Sequence, residues 1–174
     1  CSTACRLAGK QGVTLAGKLA RKIDPDILRE LSLEVREKIF VVCGTNGKTT
    51  TTTLTGEIFK AAKRKTYVVG NIGVAVISAA ISAEENAWLV TETSSFQLET
   101  TKKFKPEISA ILNLTPDHLN RHNTMENYGL AKAKIMENQD ESQYAVINYD
   151  DKTVRELAKH TKAKLVPFSR LEEL

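Results

Sequence analysis

The sequence predicts an α/β fold: a mostly parallel sheet flanked by helices, entered through a glycine-rich turn between its first strand and first helix. Three observations predict it. Short runs rich in β-branched and aromatic residues alternate with longer amphipathic stretches from Ile39 onward, the pattern of successive βαβ units. The short runs are almost wholly apolar, as strands buried on both faces of a parallel sheet are. Polar clusters follow the strands directly, at residues 44–50, 71, 92–97 and 113–121. Right-handed crossovers gather such strand ends on one edge, where open α/β sheets bind ligands.

In chain order, strands are expected at residues 39–43, 66–69, 87–90, 108–112, 144–148 and 164–168. Helices are expected at about residues 49–62, 74–82, 125–137 and 151–160, with a short one at 95–101. Residues 1–38 form a basic, glycine-punctuated lead with two short helical stretches. The second opens at Asp24-Pro25-Asp26, with Ile27, Leu28 and Leu31 spaced for one helical face. The chain therefore divides into a lead, 1–38, and one domain, 39–174.

Composition excludes several classes. In 174 residues, no apolar run approaches the roughly 20 that a membrane helix needs. The net charge of +4 is interleaved along the chain rather than gathered in a stripe, against nucleic-acid binding. Cys1, Cys5 and Cys43 form no Cys-x-x-Cys pair and leave an odd count, against a disulfide framework or a zinc site. A reducing cytoplasm is the expected setting.

The strand 39–43, the turn Gly44-Thr45-Asn46-Gly47-Lys48-Thr49 with Thr50, and a helix after it form the arrangement in which backbone N–H groups and a helix N-terminus surround phosphate oxygens. Lys48 is placed to supply a point charge to the β- and γ-phosphates, and Thr49 a hydroxyl to Mg²⁺. The strict phosphate-loop pattern is not met, because the residue five before Gly47 is Val42 rather than Gly. The loop is a shorter variant, and ATP with Mg²⁺ is its expected ligand.

Further motifs follow in order: Asn71-Ile72-Gly73; Glu92-Thr93-Ser94-Ser95-Phe96-Gln97-Leu98-Glu99; the run from Leu112 through Asp117-His118-Leu119-Asn120-Arg121-His122; and Tyr128-Gly129-Leu130-Ala131-Lys132. Together with the loop they resemble the central ATP-binding domain of the Mur ligases, and within that family the D-glutamate-adding branch, over residues 41–168. The resemblance implies an ATP-dependent ligase of peptidoglycan precursor synthesis, which activates a UDP-MurNAc-L-alanine carboxylate as an acyl phosphate for attack by D-glutamate. Catalytic roles fall by resemblance on Lys48, His118 and Lys132, and metal roles on Thr49, Glu92, His118 and a carbamylated Lys132. Substrate contacts fall on Asn71, Ser94, Ser95 and Gln97.

Each assignment has a plainer reading beside it. Glu92 can be a solvated loop acid, and Ser94, Ser95 and Gln97 can cap a helix. Asn71 can form a turn, and Lys132 can be a surface charge. A histidine at the place of His118 can donate to a phosphate or act as acid or base near neutral pH. Asn120 departs from the usual Asp of the Asp-His-x-Asp-Arg-His pattern, which puts in doubt any role needing a negative charge there.

The lead, through residues 12–18 and 22–28, resembles the Mur-ligase-like subunit of lipid II isoglutaminyl synthase. That alternative implies a glutamine amidotransferase partner and a fusion of two relatives. A third alternative is a non-catalytic nucleotide-binding fragment. The family's central domain is expected to continue past residue 174, with flanking domains for the UDP-sugar and the amino acid, so turnover by this chain alone is not expected.

Overall fold

The computed structural model describes residues 38–174. The lead and its two helical stretches, up to residue 37, lie outside the described residues. Six strands are present: β1 (Lys38–Cys43), β2 (Thr66–Gly70), β3 (Trp88–Glu92), β4 (Ile108–Ile111), β5 (Tyr144–Asn148) and β6 (Lys164–Phe168). They form one sheet of order β2-β3-β1-β4-β5-β6, parallel throughout. The helices are α1 (Lys48–Ala61), α2 (Val76–Ala80), α3 (Ser95–Leu98), α4 (Leu119–His122), α5 (Met125–Ala133) and α6 (Lys152–Ala158).

Strand alternation divides the side chains between two faces. On one face lies α1, whose Phe59 ring stands 6.1 Å from Phe40 and 4.9 Å from Trp88. Gly56 lets this helix settle close, since a Cβ there would lie 2.3 Å from Cγ2 of Val68. The other face carries the larger core: Val41, Cys43, Ile111, Ala145 and Ile147 of the sheet against Leu98, Tyr128, Val154 and Ala158 of the helices. Beside it, Val69 and Leu89 pack against Ala79 of α2. The helix following β1 thus lies opposite those following β3 and β4. That reversal falls at the carboxyl end of β1, the place where doubly wound sheets take ligands.

Several boundaries differ from expectation. The third strand starts one residue later and ends two later than expected, because β3 lies between β1 and β2 and pairs on both sides as far as Glu92. Pairing of a central strand carries Thr91 and Glu92 into the ladder, which apolar periodicity does not reveal. The helix expected at 125–137 ends at Ala133 and continues as tighter turns, Ile135 N–H to Lys132 O and Met136 N–H to Ala133 O. The single turn of α4 was not expected. It opens on His118 at φ 52° and ends at Asn123 at φ 65°, left-handed residues that break the periodicity around it.

Candidate active site

The turn after β1 is held by β4 and the segment beyond it. Asn113 does most of this: its Oδ1 accepts from Thr45 N–H at 3.2 Å and from Asn46 N–H at 2.9 Å, while its Nδ2 donates to Asn46 O at 3.0 Å. Thr45 Oγ1 donates to Thr115 O at 3.2 Å and accepts from Thr115 N–H at 3.1 Å. The buried Tyr128 places its hydroxyl 3.3 Å from the same Thr45 oxygen. Gly47 starts α1 at φ 80°, a left-handed position that strains any side chain, and provides no capping side chain. The first turn of α1 has no acidic residue, so its free N–H groups and positive dipole end remain available to an anion. Lys48 Nζ folds back to Thr45 O at 2.8 Å, and Thr49 and Thr50 are exposed in that turn.

On the α1 face, Glu92 ends β3 with 2% of its surface exposed. It is not the loop acid that the sequence reading placed after the strand. Its Oε2 accepts from Thr49 Oγ1 at 2.8 Å, and its Oε1 accepts from Asn71 Nδ2 at 3.0 Å. Asn71 N–H also donates to Glu92 O at 2.9 Å. Gly70, at φ 108°, permits that approach, because a Cβ there would sit 2.2 Å from Glu92 O. Octahedral Mg²⁺ with oxygen ligands at 2.0–2.1 Å separates neighbouring ligand atoms by about 2.9 Å. The 2.8 Å between Thr49 Oγ1 and Glu92 Oε2 is an ordinary O–H···O length that is also compatible with that edge, and both are the oxygen donors a hard cation takes.

The opposite face carries the remaining candidates. Lys132 is 2% exposed, so the reading of it as a surface charge falls. Its ammonium donates to Gly44 O at 2.8 Å, lies 3.8 Å from Cys43 Sγ and stands 4.6 Å from the centre of the Tyr128 ring. Burial pushes the Cys43 thiol up, against the opposing pull of the Lys132 and Lys48 charges. His118 is exposed beside Asp117, with its ring 4.8 Å from Phe96. It does not join the Thr49–Glu92 pair. Among the described residues, no three His, Cys, Asp or Glu side chains come together as a metal-holding group.

Ser94 and Gln97 form a cap on α3, with Gln97 Oε1 accepting from Ser94 N–H at 3.0 Å and from Ser94 Oγ at 3.1 Å. Ser95 is buried at 1% exposure. Its hydroxyl lies 3.0 Å from Nε2 of the buried His122. Desolvation holds the His122 imidazole below its ordinary pKa, although Glu99 pulls the other way. Asn120 is exposed on α4.

Sequence reasoning missed Asn113, Thr115, Tyr128 and His122 as contributors. The signal available for the first two was their place directly after β4. For the buried pair it was weak, since Tyr128 read as an ordinary aromatic of the helix expected at 125–137 and His122 as the last residue of the motif run after the fourth strand.

The comparisons agree with this geometry. The model of the Mur ligase middle domain matches residues 42–173. The chain is 50% identical over 169 residues to a UDP-N-acetylmuramoylalanine--D-glutamate ligase of Caldanaerobacter subterraneus subsp. tengcongensis, covering 94% of this chain and 38% of that protein. It is 56% identical over 137 residues to the ligase of the same name from Clostridioides difficile, covering 78% and 30%. Among solved structures it superposes on UDP-N-acetylmuramoyl-L-alanyl-D-glutamate--2,6-diaminopimelate ligase with a TM-score of 0.65 at 26% identity, over 78% of this chain and 32% of that one. On the Thermotoga maritima MurF ligase in complex with ADP the TM-score is 0.66 at 21% identity, over 94% and 38%. The chain thus spans about a third of the length of these relatives. With a six-stranded parallel sheet, a glycine-lysine turn between its first strand and first helix, and a family match over residues 42–173, this chain belongs to the Mur ligase family through its middle domain.

Proposed function

We propose that this chain is the nucleotide-binding part of a D-glutamate-adding Mur ligase, acting with ATP and Mg²⁺ on a UDP-MurNAc-L-alanine carboxylate, inside the cytoplasm. The observation that carries the reading is the joining of the loop's Thr49 to the buried Glu92 at the head of a helix whose first turn is open to an anion. The 94% coverage by a D-glutamate ligase relative takes in most of the first 37 residues as well. That favours this reading over the amidating-subunit alternative and its glutamine amidotransferase partner.

Thr49 and Glu92 would hold the cation, which neutralises phosphate charge when bound. The α1 N-terminus and the loop N–H groups would bind phosphate oxygens, and Lys48 would turn from Thr45 O to the outer phosphates. Asn71 fixes the Glu92 carboxylate. Lys132 holds the floor of the loop at Gly44 O. A carbamylated Lys132 would put an anionic group there in place of the ammonium. His118, on the β4 side of the loop, would donate to the γ-phosphoryl group or to a metal-bound oxygen.

The test is calorimetric titration of the full chain with an ATP analogue and Mg²⁺. Lys48→Ala is expected to abolish binding, and omission of Mg²⁺ to weaken it severely. Equal affinity in the variant would overturn the proposal.

A further inference from the structure

Ser95, His122 and Glu99 form a line. Ser95 Oγ lies 3.0 Å from His122 Nε2, and His122 Nδ1 lies 3.5 Å from Glu99 Oε1. With the imidazole proton on Nδ1, facing the carboxylate, Nε2 accepts the Ser95 hydroxyl hydrogen; with it on Nε2, the hydroxyl accepts instead, and the Ser95–His122 link holds in either tautomer. Glu99 is fixed in turn by Arg121, whose Nε and Nη2 donate to its two oxygens at 3.0 and 2.7 Å. Lys134 Nζ donates to Glu99 O at 2.8 Å. The order of groups is that of a nucleophile, a base and an acid. Ser95 and His122 are both buried, however, so no substrate atom reaches them.

What the line does is mechanical. It ties the segment after Glu92 to the turn that carries His118, two segments that nothing in the sequence connects. Phe96 lies between them: its ring stacks on His122 at 5.7 Å and an interplanar angle of 13°, and meets His118 at 4.8 Å. Arg121 covers the same ring at 4.9 Å. His118 also stands 6.3 Å from the Tyr128 ring, whose hydroxyl reaches Thr45 of the phosphate loop. His118 itself is exposed and left-handed, and besides these rings its imidazole meets the carboxylate of the neighbouring Asp117, Nε2 to Oδ2 at 3.4 Å.

We propose that His122 is a positioning residue for the γ-phosphoryl end of the nucleotide site, clamping α3 to α4 through Ser95 and Glu99 and thereby orienting His118 through Phe96. This rests on the reading given under Proposed function. It goes beyond that reading in assigning a task to a buried histidine that touches no ligand.

The experiment compares binding of MgADP with that of a Mg²⁺-bound non-hydrolysable ATP analogue by the full chain. His122→Phe and Ser95→Ala are each expected to weaken the triphosphate analogue about tenfold while MgADP stays within about twofold. His122→Gln keeps an acceptor at the ε position and is expected to restore most of the loss. His118→Ala is expected to give the same selective loss, not additive with that of His122→Phe. Equal loss for both nucleotides, or no loss, overturns the proposal, since packing damage does not discriminate the third phosphate. If His122→Phe does not fold, Ser95→Ala decides alone by the same criterion. If the unaltered chain binds neither nucleotide, the functional reading fails and this inference fails with it; if it binds both and the variants keep its preference, only this inference fails.

Discussion

Asn113 shows how much of the site depends on single side chains. One carboxamide satisfies two backbone donors and one acceptor of a turn that has no regular structure of its own. Asn113→Ala is expected to weaken nucleotide binding about tenfold, because a neutral hydrogen bond contributes about 1 kcal/mol and the turn loses its preset shape. Titration calorimetry measures this, and unchanged affinity would mean that the nucleotide orders the turn without help. Lys132 is the opposite kind of residue, a charge inside the protein whose strongest visible contact is a carbonyl. Lys132→Met leaves Gly44 O without this donor, and about 1–3 kcal/mol of stability is expected to go with it. Denaturant unfolding would show the difference.

The Glu99–Arg121 pair gives a pH dependence with a definite sign. The guanidinium hydrogen bonds hold the Glu99 carboxyl below its ordinary value near 4.5. A depressed carboxyl stabilises the folded state above that ordinary value, and the contribution is lost as pH falls through the lower, folded value. The melting temperature of Arg121→Gln is therefore expected to fall less steeply than that of the unaltered chain below pH 4.5. Parallel curves would deny the pair any role in acid stability.

At the scale of elements, α1 shows packing overruling propensity. Ala is better than Gly inside a helix by about 1 kcal/mol. At Gly56, however, the added methyl would lie 2.3 Å from Cγ2 of Val68, a stiff β-branched side chain. Gly56→Ala is expected to be net destabilising by about 1–2 kcal/mol, as overpacking is, and Val68→Ala in that background is expected to recover part of it. A stabilising Gly56→Ala would show that α1 can shift outward freely. The same helix was recognisable from its sequence because its start coincides with Gly47-Lys48 and its length is ordinary. By contrast α4 is a single turn bounded by left-handed residues, which a periodic pattern cannot register, while the short helix expected at 95–101 is present and ends early, at Leu98.

Across the whole molecule, the two faces of the sheet are unequally covered. On one face α5 and α6 pack against the core residues of β4 and β5, while β6 is exposed along its whole length. On the other, which α1 shares only over β1 to β3, Tyr144, Val166 and Phe168 stay exposed to about two-fifths of their surface. β6 is also an unpaired sheet edge among the described residues. Apolar side chains along an open edge invite association. The chain is expected to bind an apolar dye and to self-associate at micromolar concentration, and Val166→Lys is expected to reduce both. Sedimentation and dye fluorescence test this, and a monomeric, dye-silent chain would contradict it.

The sequence by itself determined the parallel α/β class, the six strands, the phosphate loop and the family, because these are local: strand and helix periods, and a glycine-lysine turn whose chemistry is written in consecutive residues. Only the tertiary structure decided which candidates meet. Strand parity sends Glu92 to the α1 face beside Thr49 and Asn71, while Lys132, Tyr128 and His118 lie with the helices of the other face, so one list of motif residues becomes two clusters astride the end of β1. Burial was the second such decision. It put Ser95 against the buried His122 rather than in solvent and made Lys132 a buried donor rather than a surface charge, because the solvent a side chain keeps depends on elements far away in the chain.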